Sequence, residues 1–374
     1  MRGDWKQWRQ ADLADGGDVM GRVNSQLGLM IVIAAVVVAV ALVVFSIVRI
    51  DADGGGRGAS AGGAAGIDGL DADARAKRDA AHEAAAELIA KGNLRGAQVI
   101  LTRLLEMYPD DAKSHQMIAQ VMMGRTEPDY GAAYAHLTRS LALDPDQSAA
   151  EFAAGMAAHA GMDQPTVAVE HFQRAAALDP DDVQYALYYG QVLIAVERPQ
   201  EAEAELRRAL RLDATLGDAH AMLAELAGRR GSFDEALAAI GLALQHAPSD
   251  KEVSFTVLKA SLLRRAGQAG DGLSVLAGLG SMERTRHDVV AEQVRCLEAM
   301  GDWHAAGEAW LVRLAVDPTD YTATIEAGLH FVRLGNRYRA RDCLLMAERL
   351  RPERARTREL AEAVTGMAEP EETD

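Results

Sequence analysis

Apolar residues in the middle of the chain recur at three- and four-residue steps, which is the spacing of one helix face. Between residues 183 and 216, Tyr185, Leu187, Tyr188, Gly190, Leu193 and Ile194 mark such a face. Arg198-Pro199 breaks it, because proline cannot continue a helix and biases the preceding residue away from helical angles. A second stripe, Ala202, Leu206, Ala209 and Leu210, predicts the next helix, with Glu203 and Arg207 four apart on its wet side. The following segment repeats this layout. Leu223 and Leu226 close a first helix, Gly231 stands at the corner, and Ser232 is placed to cap a second helix carrying Ala236, Ile240 and Ala243.

This helix pair is one tooth of a comb. Ala97, Ala133, Ala168, Ala202, Ala236, Gly270, Ala306 and Ala340 follow one another at gaps of 36, 35, 34, 34, 34, 36 and 34 residues. Twelve residues behind them run Pro109, Pro145, Pro180, Ala214, Pro248, Met282, Pro318 and Pro352. Two phased combs of this period predict a solenoid of helix pairs, each burying its apolar face on its neighbours. Small residues at the crossing allow the two helices of a pair to approach closely.

The pattern resembles the tetratricopeptide repeat (TPR) family over residues 75 to 352. That family places a small residue eighth (Ala85, Gly190, Ala224, Gly328), a bulky one twenty-fourth (Leu101, Leu137, Phe172, Leu206, Ile240, Trp310, Leu344) and alanine twenty-seventh (Ala175, Ala209, Ala243, Ala277, Ala347). The resemblance implies an all-α, right-handed α-solenoid of about eight helix pairs over residues 74–365. Residues 353–365 are expected as a capping helix with Arg and Glu outward. Extra residues at Thr126–Asp129 and Asp163–Pro165 are expected to lengthen turns in repeats two and three. The sixth repeat, 251–284, carries Gly267, Gly270, Gly272, Gly278 and Gly280 and lacks the closing proline, so a loose or bent second helix is expected there.

Ahead of the repeats, Leu27 to Val48 is 22 residues without a charge. At about 1.5 Å per residue such a helix spans roughly 33 Å, enough to cross a bilayer core. We expect a single uncleaved transmembrane helix at 27–48 after a short arm at 1–26. Arg2, Lys6, Arg9 and Arg22 precede it and only Arg49 and Arg57 follow closely, which places the arm in the cytoplasm and the repeats across the membrane. Residues 49–73 turn to Gly, Ala and Asp, a composition expected to form a flexible linker. Residues 366–374 are expected as an acidic, disordered tail.

Composition narrows the function. A formal charge of −16 argues against nucleic acid as a ligand, and only 5% aromatic residues suit close-packed helices better than a ring-walled enzyme pocket. The chain has no Cys-x-x-Cys pair, no His-Glu-x-x-His and no phosphate-binding loop. His82, His115, His136, His159 and His171 fall at unrelated helical phases, so neither a metal nor a cofactor is expected. Cys296 and Cys343 are expected to be buried as small hydrophobes. Carboxylates at the repeat junctions, such as Asp144-Pro145-Asp146 and Asp179 to Asp182, are expected to cap the next helix.

The family resemblance implies that places two, five, nine and twelve of each first helix line a concave groove. Counted on this sequence, those places hold His115, Ile118 and Met122 in repeat two and Ala150, Ala153 and Ala157 in repeat three. They hold Gln184, Leu187, Gln191 and Ile194 in repeat four, and Asp218, Ala221 and Glu225 in repeat five. With Met122, Met156 and Met222 nearby, the groove suits an apolar helix or extended segment of a partner. The expected function is a non-enzymatic scaffold at a bacterial inner membrane, single-pass, with a periplasmic repeat domain serving protein assembly or translocation. The alternative is a cytoplasm-facing adaptor that recruits a soluble enzyme or protease. Protein or peptide partners and the membrane are expected; nucleic acid and small-molecule substrates are not.

Overall fold

The computed structural model describes residues 72–367. The arm, the 27–48 span, almost all of the linker and most of the acidic tail lie outside the described residues, and among the described residues no helix is long and apolar enough to cross a membrane. The described residues hold 17 α-helices and no strand. They divide into two compact units, one running up to Pro180 and one from Asp181 onward.

The first unit holds three hairpins: α1 (Ala72–Ala90) with α2 (Leu94–Met107), α3 (Ala112–Met123) with α4 (Tyr130–Leu143), and α5 (Ser148–Met156) with α6 (Pro165–Leu178). Ala85, Ala97 and Leu101 meet Ile118 and Val121 in one part of its core. Ala119, Ala133, Leu137, Ala150 and Ala154 form another. Gly155 leaves room for the Phe172 ring, which a Cβ there would meet at 2.7 Å.

The second unit holds five hairpins and a last helix. Its pairs are α7 (Val183–Ala195) with α8 (Pro199–Leu212), α9 (Gly217–Arg229) with α10 (Phe233–Gln245), and α11 (Glu252–Arg265) with α12 (Ala269–Ala277). Then come α13 (His287–Ala299) with α14 (Trp303–Val316), α15 (Tyr321–Arg333) with α16 (Arg337–Leu350), and α17 (Ala355–Thr365). Leu360 and Val364 of α17 join the core of the last two hairpins.

Five of the eight hairpin turns share one device. Gly92, Gly231, Gly267, Gly301 and Gly335 all take positive φ, between 70° and 83°. The turn closes with a backbone bond such as Ser232 N–H to the Ala227 carbonyl, 2.9 Å, the Schellman pattern. Repeat four makes the same bond, Arg198 N–H to Leu193, but puts Glu197 in the left-handed conformation at φ 59°.

Several local expectations need correction. Ser232 occupies the cap position of α10, yet its side chain accepts no capping bond. Of the junction carboxylates, Asp182 does cap α7, accepting from the Gln184 and Tyr185 amides at 2.7 and 3.2 Å. Asp144 instead accepts from Asp146 N–H in a local turn, and Gln147 heads α5 without a side-chain cap. The extra residues of repeat two do lengthen a turn, between Met123 and Tyr130. Those of repeat three are taken up largely within the helix, by a π-turn over Ala157–Gly161.

The second helix of repeat six is short: α12 has 9 residues, and a 3-10 turn follows at Glu283–Thr285. Its small crossing residue is Gly272, where a Cβ would lie 3.0 Å from the Ala260 carbonyl, and not Gly270, which has open space around it. Ala277 is accordingly exposed. Two extra residues before α11 shift the count there.

Candidate partner-binding site

The same counting problem moves some of the sequence-predicted groove residues. The extra residues are taken up after Met123 in repeat two and from Ala157 onward in repeat three, ahead of Ala133 and Ala168, so counting back from those alanines starts the first helices too late. Counted from the start of α3 at Ala112, His115, Ile118 and Met122 are fourth, seventh and eleventh. Ile118 is buried, Met122 packs between two core clusters, and His115 bonds within its own hairpin. Counted from Ser148, Ala150, Ala153 and Ala157 are third, sixth and tenth, and all are buried. In repeats four and five the register holds. Gln184, Gln191 and Ile194 are half-buried and Leu187 is buried. Asp218 pairs with Lys251, and Glu225 with Arg229 at 2.5 Å, while Ala221 is buried.

Applied to repeat seven, the same places give Asp288, Ala291, Arg295 and Glu298. The last three line a cavity of about 260 Å³ between α13 and α15, a part of the chain where sequence reasoning placed no site residue. Ala291, Val294 and Leu329 form apolar walls, and Trp310 of α14, only 4% exposed, is the floor. His287, His330, Arg295, Arg333, Glu298, Glu326 and Thr322 complete the lining. The cavity is smaller than the roughly 300–1,000 Å³ usual for cofactor and small-molecule sites, and matches one or two side chains of a polypeptide.

The rim is held in place by bonds beneath it. Asp320 accepts from the Ala323 amide at 2.9 Å, from Arg313 Nε at 2.9 Å and faces His287 Nδ1 at 3.0 Å. Burial works to raise the Asp320 carboxyl, but the bonds from His287, the Ala323 amide and Arg313 outweigh it and hold the group well below the usual carboxylate range. The Asp320 bond conversely raises His287, against its partial burial. His330 is buried, donates from Nε2 to the Trp303 carbonyl at 2.5 Å and sets Nδ1 3.3 Å from Glu298. Arg333 adds a looser contact to Glu298 at 3.8 Å. Glu292, 1% exposed, sits between Arg264 at 2.7 Å and Arg295 at 3.0 Å. Arg295 and Arg333 keep more than half of their side chains in solvent, at 58% and 65%. The two arginines are therefore the rim groups most open to a ligand.

Neither thiol is an activated nucleophile. Burial pushes Cys296 up to about 11 and Cys343 up to about 12. Among the described residues no three His, Cys, Asp or Glu side chains converge as a metal site does. One histidine pair does meet, contrary to the unrelated phases read from the sequence: His115 Nδ1 lies 2.9 Å from His136 Nδ1.

No family model matches the chain, and no curated protein is similar to it. Solved structures similar to it include Pseudomonas aeruginosa PilF, at 19% identity and a TM-score of 0.49 over 59% of this chain and 97% of that one. A tetratricopeptide repeat protein from Parabacteroides merdae has 13% identity and a TM-score of 0.49 over 77% of this chain and 98% of that one. YrrB, a TPR protein with an unusual peptide-binding site, has 18% identity and a TM-score of 0.37 over 52% and 99%.

Proposed function

We propose that this chain is a membrane-anchored repeat scaffold that binds segments of partner proteins on the first-helix face of its hairpins. The observation that carries the reading is the cavity between α13 and α15. It joins a buried tryptophan floor, apolar walls and two solvent-facing arginines in a volume suited to side chains. Such a site takes an apolar side chain of an extended segment and pairs its flanking acidic or carbonyl groups with Arg295 and Arg333. The anchor is residues 27–48, and the charge bias around it supports repeats on the far side of a bacterial inner membrane, in protein assembly or translocation.

Two experiments test this. Screening the full chain against a random peptide library should enrich segments with a large apolar residue beside an acidic one. Thr322→Arg, which fills the exposed mouth of the cavity, should abolish that enrichment; unchanged selection would remove the cavity from the function. A phosphatase reporter active only outside the cytoplasm, fused after Asp374, should be active. An intact but silent fusion would turn the repeats inward and make the chain a cytoplasmic adaptor.

A further inference from the structure

The hairpin α3–α4 brings together two imidazoles that no part of the scaffold function uses. His115, in the first turn of α3, and His136, in the middle of α4, place their Nδ1 atoms 2.9 Å apart. Their ring centres lie 5.1 Å apart, with the planes tilted by 39°. The orientation of His115 is set by the backbone: Nε2 lies 3.0 Å from the Pro109 carbonyl, which can only accept. The ring N–H is therefore on Nε2, and the neutral ring presents the Nδ1 lone pair towards His136. A ring nitrogen tied to a carbonyl so that the other is left as a donor atom is the usual arrangement of a metal-binding histidine. Both side chains are half-buried and reachable from solvent.

We propose that His115 and His136 form a two-histidine site for a divalent late first-row cation, with Cu²⁺ held most tightly. Metal–imidazole bonds of about 2.0–2.1 Å meeting at a right angle require nitrogens about 2.9 Å apart, against about 3.3 Å for a tetrahedral angle. The 2.9 Å separation is that of a hydrogen bond in the metal-free pair, and it keeps the two nitrogens within a few tenths of an ångström of either spacing; Cu²⁺ is held most tightly because it heads the affinity order for imidazole sites. In the metal-free pair the two nitrogens face each other along an N–H···N hydrogen bond. Binding exchanges that hydrogen bond for two metal bonds: the His136 ring swings on its side-chain torsions until its lone pair meets that of His115 at the ion, and its proton passes from Nδ1 to Nε2 through solvent, so the ring stays neutral. No third histidine, cysteine or carboxylate joins the pair among the described residues, so water fills the other positions. A second histidine pair provides a contrast. His220 makes the same kind of backbone bond, to Ala214 at 3.1 Å, but its ring lies nearly parallel to His246 with centres 6.4 Å apart, so no lone pairs converge.

The test uses the full chain, purified without a histidine tag, stripped with chelator and titrated with Cu²⁺ under electron paramagnetic resonance. One equivalent should bind first, with hyperfine structure from two nitrogens. His115→Gln and His136→Gln should each weaken that equivalent by at least ~10-fold, whereas His220→Gln should leave it unchanged. If either variant fails to fold, protection of the parent protein against diethyl pyrocarbonate, read by mass spectrometry, replaces it: Cu²⁺ should shield His115 and His136 alone. A first equivalent that keeps its affinity in both variants, or no protection at these two residues, would reduce the pair to a hydrogen bond.

Discussion

The two units are built on one plan of small crossing residues but are laced by different polar chemistry. In the first unit the buried polar links are histidine with carboxylate and hydroxyl. His82 meets Asp111 at 2.8 Å and Ser114 at 3.0 Å, and His171 sits between Glu151 at 2.6 Å and the Tyr134 hydroxyl at 3.0 Å. In the second unit histidine persists at His330 and His287, but arginine joins it, with Arg264 and Arg295 on Glu292 and Arg313 on Asp320. A guanidinium is permanently charged, and beside a buried carboxylate it makes a fixed ion pair. An imidazole can serve as a neutral donor and acceptor, so the His82 and His171 links need no guanidinium in direct hydrogen-bond contact. The difference teaches that the repeat fold specifies the apolar contacts tightly and leaves the polar lacing free.

The largest effect should come from breaking the second unit's lacing. Glu292→Ala leaves two arginine heads without their shared buried partner and should cost about 3 kcal/mol, read as a loss of chemical stability confined to the unit from Asp181 onward. An unchanged denaturation profile would make the Arg–Glu lacing incidental. Next, Ala236→Leu overpacks a crossing with no free surface and should cost on the order of 1–3 kcal/mol. Gly155→Val should do the same in the first unit, against the Phe172 ring. Equal losses would confirm that the apolar plan is common to both.

A smaller effect separates the units by pH in chelator-treated protein. His136 is lowered by burial and by His115, so its neutral form is favoured by folding. That contribution is full above the unfolded value near 6.5 and is lost as pH falls below it. His287 is raised by its bond to Asp320, so its contribution is full below about 6.5 and is lost as pH rises through the folded value. Amide exchange, corrected for its intrinsic pH dependence, should show α4 loosening and α13 firming on acidification from about pH 7.5 to 5.5. Parallel changes in both helices would overturn the comparison. Smallest is Glu197→Gly, which removes a left-handed conformation from a side-chain-bearing residue and should raise stability by about 1 kcal/mol. The corresponding Gly231→Ala should lower it.

The helix pairs, the turn glycines and the burial of Cys296 and Cys343 were legible in the sequence because they follow from local rules: period, proline, glycine and small-residue spacing. The register of repeats two, three and six was not. An inserted residue looks the same in sequence whether it lengthens a turn, as after Met123, or winds into a helix, as at Ala157–Gly161. Choosing between them depends on what packs opposite, such as Phe172 against Gly155. The cavity was half legible, since the place rule extended to residue 287 returns Ala291, Arg295 and Glu298. Its Trp310 floor reads in sequence only as the bulky twenty-fourth residue.

The sequence by itself determined that this chain makes helical hairpins of one size, because periodicity and turn chemistry act within a few tens of residues. Tertiary structure alone decided which polar atoms meet. The approach of His115 to His136, across 21 residues and two helices, depends on the rotation of each helix about its axis. Side-chain packing sets that rotation, and a count along the chain does not carry it.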